Sequence, residues 1–149
     1  MVEVVGFVLT VTGGVISGAV GFGVAEYRER SRRAERRRRW YGRTARLAER
    51  IGNAQPDLAD TDAKLEHAPV IRETCGTVHD ALAAHLLDAP AEADPELVAS
   101  CERLIGNCYT IRETDVDGSV PRGFFAEASA AADLGDRIAA ASRSMRERA

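Results

Sequence analysis

The pattern of apolar and polar positions divides the chain into one uncharged stretch and a series of amphipathic segments. Val4–Ala25 carries no charged side chain, and eleven of its twenty-two residues are Val, Ile, Leu or Phe. At about 1.5 Å per residue, a helix of this length covers roughly 33 Å, which is enough to cross a hydrocarbon core of about 30 Å. The pattern therefore predicts a single transmembrane anchor over residues 1–25.

Two other interpretations of this stretch are weaker. A cleaved signal peptide begins with positive charge and has a short apolar core, whereas Glu3 precedes this stretch and arginines follow it. A buried helix of a soluble protein needs a core that surrounds it on all sides, and the remaining chain barely supplies one. The membrane-spanning interpretation is therefore the one we adopt.

Small residues recur at four-residue intervals within the apolar stretch. Gly14 and Gly18 form a G-x-x-x-G pair, and Gly21 lies four residues after Ser17. Because small residues at this spacing let two helix backbones approach closely in lipid, we expect Gly14, Gly18 and Gly21 to form a helix-pairing face and the chain to be a homo-oligomer. The alternative is that glycine is simply common in membrane helices.

A dense run of arginines follows the apolar stretch. Positively charged flanks stay on the cytoplasmic side of a membrane, and they also attract anionic lipid headgroups. We therefore predict a single-pass protein of the cell (inner) membrane with its N-terminus outside and its C-terminus in the cytoplasm. Nucleic-acid binding is less favoured because glutamates interrupt the run and no recognised DNA-binding motif accompanies it. The residues assigned to orientation and lipid contact are Arg28, Arg30, Arg32, Arg33, Arg36, Arg37, Arg38 and Arg39.

The rest of the chain has the 3.6-residue period of helices and no strand alternation. The arginine run is expected to continue as a juxtamembrane helix over residues 26–51, followed by a polar helical turn over 57–67 that Pro69 ends. Three amphipathic helices are then predicted over 70–87, 95–112 and 122–146. Their apolar faces include Leu82, Leu86 and Leu87 in the first helix and Leu97, Cys101 and Leu104 in the second. The linkers between these three are short and rich in turn formers, so residues 52–149 should form a small antiparallel bundle and the fold class is all-α.

Charge and cysteine content change this picture only modestly. The net charge is −3, but residues 26–50 carry +7 and residues 51–136 carry −12, so the bundle is acidic. This composition is typical of a GC-rich genome and also fits a halophilic cytoplasm. Cys75, Cys101 and Cys108 lie on apolar helical faces, where we interpret them as reduced core thiols. A zinc site formed by these thiols and His79 is the weaker alternative.

No motif in the chain predicts a catalytic site, and we assign no catalytic residue, cofactor or metal ligand. The leading hypothesis is a membrane-anchored interaction or scaffold protein that meets an unknown protein partner through its acidic bundle. The alternative is a holin-like, membrane-active oligomer that assembles through the glycine face. A cysteine-dependent metal or redox protein is a third and weaker hypothesis.

Overall fold

The computed structural model describes residues 2–54, 61–116 and 119–149, with side chains omitted for 2–23 and 61–64. The described residues form four helices and contain no strand, which confirms the all-α class. The chain divides into two compact units, residues 1–36, here called the N-terminal unit, and residues 37–149, here called the bundle. The helices are α1 (Val2–Asn53), α2 (Thr61–Leu87), α3 (Pro95–Glu113) and α4 (Phe124–Arg148).

The first helix is continuous through the arginine run, as the absence of proline predicts. Among the residues whose side chains are described, no helix contains a stretch long and apolar enough to cross a membrane. The transmembrane helix expected over residues 1–25 is therefore not supported by those residues. All of Val4–Ala25 before Val24 lies outside them, and so do the pairing residues Gly14, Gly18 and Gly21.

The core of the bundle is built from one face of each helix. The C-terminal part of α1 contributes a row of buried side chains to this core. The row begins with Trp40 and Tyr41, which are each 5% exposed. The predicted apolar faces of α2 and α3 are buried at the expected three- and four-residue spacing. Half of the buried residues of α4 are alanine, and these small side chains let the neighbouring helices pack closely. The innermost large side chains are Ile51, Val78, Leu82, Leu104, Ile111 and Ile138.

Two expectations for α2 are wrong. Pro69 does not end a helix but lies inside α2, which runs without a break from Thr61 to Leu87. Proline removes one helical hydrogen bond, but Ala68 and Ile71 on either side of it are buried in the core and hold this turn in place. Leu87, expected on the apolar face, is 88% exposed because it is the last residue of the helix.

Helices α3 and α4 begin with different local structures. Asp94 caps α3 by accepting a hydrogen bond from the backbone N–H of Leu97 at 2.9 Å, and Pro95 then occupies the first helical position, where its missing N–H costs nothing. Before α4, Gly123 has φ of 96°, a left-handed conformation that favours glycine. The chain can therefore turn sharply from the preceding linker into Phe124.

Helices α1 and α4 approach each other closely within the bundle. A Cβ atom added to Gly135 would lie 2.7 Å from the carbonyl oxygen of Ala48, so only glycine fits between the two backbones. An ion pair between Glu49 and Arg143 also joins these helices. The C-terminal part of α1 is thus an integral layer of the bundle.

Candidate functional site: the basic segment and the buried polar cluster

The arginine run assigned to membrane contact is almost entirely solvent-exposed. Seven of the eight side chains are exposed, and Arg37 alone is half-buried. Tyr27, which immediately precedes the run, is 74% exposed, and Val24 is 45% exposed. This part of α1 therefore presents guanidinium groups and apolar side chains to its surroundings together.

Glutamates pair with some of these arginines inside the N-terminal unit. Arg30 donates to Glu26 at 2.6 Å, and Arg33 and Arg36 both donate to Glu29 at 3.1 and 3.4 Å. The hydrogen bond from Arg33 is the largest cause of a lowered pKa for the Glu29 carboxyl, with smaller contributions from neighbouring positive charges. The run is therefore a mixture of neutralised and uncompensated arginines and not a uniform positive surface.

Arg37 is the one arginine of the run that is partly buried. Its Nε atom is buried and has no hydrogen-bond partner among the described residues. Its side chain lines an open cavity of about 380 Å³ with Tyr41, Asp94, Met145 and Arg148. Glu92 also lines this cavity, so two carboxylates, those of Glu92 and Asp94, balance the two arginines around it.

A second polar cluster lies inside the bundle, where α1 meets the end of α2. His85 is 4% exposed and Thr44 is fully buried. The His85 ring stacks on Trp40 with ring centroids 5.2 Å apart, and the Trp40 indole N–H donates to the His85 carbonyl at 3.3 Å. The Nε2 atom of His85 lies 3.0 Å from Thr44 Oγ1 and 3.2 Å from the Trp40 carbonyl oxygen. The Thr44 hydroxyl in turn donates to the Trp40 carbonyl at 3.0 Å.

These contacts assign the proton of the His85 ring. The Trp40 carbonyl can only accept, so the neutral ring carries its hydrogen on Nε2 and shares it between that carbonyl and Thr44 Oγ1. Burial lowers the pKa of His85, and the charge of Arg43 acts in the same direction, whereas the Trp40 carbonyl and Asp88 oppose the shift. The cluster therefore holds a neutral histidine that joins two helices.

The three thiols are buried and reduced, as the sequence predicts. Cys75 and Cys108 face each other across α2 and α3, and a thiol hydrogen bond between them lowers the pKa of Cys75 and raises that of Cys108. Burial raises the pKa of Cys101 to about 11, with a further contribution from Glu102. Such thiols are poor nucleophiles while the bundle is folded.

Within the described parts of the chain, no group of three His, Cys, Asp or Glu side chains is placed to hold a metal ion. His79, considered as a zinc ligand with the cysteines, instead contacts Asp80 at 2.8 Å and packs its ring against Tyr109. Asp80 also accepts from Arg112 at 3.0 Å, and its pKa is lowered chiefly by the hydrogen bond with His79. This is a surface ion-pair network between α2 and α3.

The bundle also has a shallow groove of about 280 Å³ between α3 and α4. Apolar side chains, including Leu97, Ile138 and Met145, form its floor, and Arg103 and Arg137 lie at its rim. The groove is open to solvent.

Sequence reasoning did not find the buried polar cluster. Trp40 and His85 are 45 residues apart, so no local pattern places them together. Thr44 was not singled out, although it lies four residues after Trp40 on the apolar face of α1. A hydroxyl on an otherwise apolar stripe was the available sign of a buried polar contact.

These features define an all-helical protein with an exposed, arginine-rich helical segment and a compact bundle. Compared with protein-family models, curated proteins and solved structures, the chain matches none of them.

Proposed function

We propose that this chain is a single-pass membrane protein whose helical bundle is an interaction module on the cytoplasmic side. The observation that carries the proposal is the direct succession of an uncharged stretch of twenty-two residues and eight arginines. A stretch of this length and composition suits a bilayer core, and the arginines after it resist translocation. The continuous backbone helix of α1 supports the proposal, because a helix satisfies its own backbone hydrogen bonds in lipid.

The exposed side chains after the uncharged stretch support an interfacial position for this part of α1. Tyr27 and Val24 are exposed next to guanidinium groups, which is the combination found where a helix leaves the hydrocarbon for the headgroup layer.

The bundle supports an interaction role better than a catalytic one. Its three thiols are at most 1% exposed, and its most buried histidine is occupied by hydrogen bonds to Thr44 and Trp40. Its surface instead offers an acidic exterior and, between α3 and α4, a groove lined by both polar and apolar side chains. Such a surface suits a basic protein partner with an amphipathic helix or peptide.

Membrane fractionation of cells that express the full chain tests the anchor. We expect the protein to remain in the membrane pellet after an alkaline carbonate wash and to need detergent for release. A matched control carries Val11→Arg and Ile16→Arg, two charges that should prevent insertion and move the chain to the soluble fraction. Recovery of the unaltered chain in the soluble fraction without detergent would contradict the proposal.

Orientation is tested by fusing reporters to the C-terminus. Green fluorescent protein should fluoresce there and alkaline phosphatase should be inactive, because both report a cytoplasmic location. The same cells distinguish the scaffold from the holin-like alternative. A scaffold leaves the membrane intact, whereas a pore-forming oligomer releases cytoplasmic ions and stops growth upon expression.

A further inference from the structure

The arginines of the N-terminal unit are not equivalent, because glutamates neutralise only one group of them. Arg30 is paired with Glu26, and both Arg33 and Arg36 are paired with Glu29. These contacts join positions four or seven residues apart, which lie on one side of α1. On that side the positive charge is largely compensated.

Arg28 and Arg32 occupy another side of the same helix. Neither makes a hydrogen bond or ion pair within the part of the chain that the structure describes. Arg32 is close enough to Glu29 to contribute slightly to its lowered pKa, but Arg33 and Arg36 contribute more. The guanidinium groups of Arg28 and Arg32 therefore keep their donors available.

Exposed Val24 lies one turn before Arg28, and Arg32 lies one turn after it, so the three follow one another at four-residue spacing on one face. The face changes from apolar to basic over about 12 Å of helix. That change matches the boundary between hydrocarbon and headgroup in a bilayer. A guanidinium binds a headgroup phosphate through two parallel hydrogen bonds, and its uncompensated positive charge favours headgroups with a net negative charge over zwitterionic ones.

We propose that Arg28 and Arg32 form a binding strip for anionic phospholipids, while the ion pairs of Arg30, Arg33 and Arg36 with glutamates reduce the net positive charge that those three arginines present. The inference rests on the proposed membrane function and adds to it which side of α1 recognises lipid and which lipid class it prefers. The strip recruits phosphatidylglycerol-type headgroups from a mixed bilayer.

Lipid preference of the full-length chain in phosphatidylcholine vesicles tests the strip. Spin-labelled phosphatidylglycerol, compared with spin-labelled phosphatidylcholine, reports how strongly the protein prefers the anionic lipid. The variant Arg28→Gln with Arg32→Gln should lower this preference by up to about fivefold per arginine removed. The control Arg30→Gln with Arg33→Gln removes the same charge from the same unit and should lower it much less.

The outcomes separate this inference from the proposed function. If the unaltered chain is absent from carbonate-washed membranes, the anchor and the strip both fail. If the chain is inserted but the two double variants lose preference equally, only the strip fails, because net charge alone then explains lipid selection. If Arg28→Gln with Arg32→Gln leaves lipid preference intact but abolishes binding of a short DNA duplex, the surface recognises nucleic acid and the inference is overturned.

Discussion

At the scale of single residues, the histidine between α1 and α2 shows how burial decides chemistry. A histidine exposed to water titrates near neutral pH, but His85 is enclosed by the Trp40 ring and bonded through one nitrogen to Thr44. Charging the ring would add a positive charge near Arg43 in a poorly solvated place. The neutral form is therefore part of the folded structure.

The lowered pKa of His85 predicts a loss of stability in mild acid. The unfolded chain takes up a proton near pH 6.5 and the native ring only at lower pH, so the free energy of unfolding falls as pH drops below about 7. The slope for one site cannot exceed about 1.4 kcal/mol per pH unit. Urea titrations of the detergent-solubilised chain between pH 8 and 5.5 measure this, with the fluorescence of Trp40, the only tryptophan, as the probe.

The variant His85→Gln is the matched control for this titration. Its amide nitrogen can still donate to Thr44, but the side chain no longer titrates. The pH dependence between 8 and 5.5 should therefore flatten, whatever the variant's stability at pH 8. Lowered carboxyl pKa values, such as that of Asp80, affect stability only at lower pH. An unchanged slope in His85→Gln would contradict our assignment.

A second residue-scale prediction concerns the contact between α1 and α4. Replacing Gly135 with alanine normally favours a helix, but here the new methyl group would lie 2.7 Å from the Ala48 carbonyl oxygen. Because that oxygen belongs to a backbone, the helices must separate, at a cost of about 1–3 kcal/mol. Gly106→Ala is the control, since nothing lies within 4 Å of its added Cβ. It should stabilise the chain by about 0.5–1 kcal/mol, and equal effects of both substitutions would refute the packing argument.

At the scale of helices, the periodic pattern of apolar residues predicted which helices exist and which faces they bury more accurately than where each helix ends. The apolar spacing placed Leu97, Cys101 and Leu104 correctly on the buried face of α3. The same rules misjudged α2, because the penalty for a proline is a local preference that the burial of Ala68 and Ile71 overrides. The polar cluster of Trp40 and His85 depends on how helices are arranged in space, and such long-range contacts leave no periodic signature in the sequence.

The proline inside α2 predicts an unusual gain on substitution. Pro69 lacks the N–H that would complete the helical ladder, and its ring crowds the preceding turn, so Pro69→Ala should raise the free energy of unfolding by about 1–3 kcal/mol. Pro95→Ala is the control, because proline at the first position of α3 loses no hydrogen bond. Its effect should stay within about 0.5 kcal/mol. The midpoints of urea unfolding of both variants measure these changes. A destabilised Pro69→Ala variant would show that the proline fits its helical turn at no energetic cost.

At the scale of the whole molecule, the two units differ in charge and in how much apolar surface they bury. The described part of the N-terminal unit is exposed and basic, and its ion pairs lie at the surface, where each contributes little to stability. The bundle has the apolar core, and its alanine-rich α4 buries less area per helix than leucine would. We therefore expect the stability of the bundle to be modest and its opening to involve all the helices that share its core.

The rate at which a reagent modifies the three buried thiols reports how often the bundle opens. Cys75, Cys101 and Cys108 are at most 1% exposed, so a thiol reagent such as iodoacetamide reaches them only when α2 and α3 separate. All three should be modified at one common, slow rate at pH 8, even though the pKa of Cys75 is lowered. Gly135→Ala acts on the distant contact between α1 and α4, yet if the bundle opens as one unit it should accelerate all three reactions by about five- to 150-fold. Mass spectrometry of each cysteine peptide gives the rates, and fast modification of Cys75 alone, with native tryptophan fluorescence, would show that α2 opens separately from the rest.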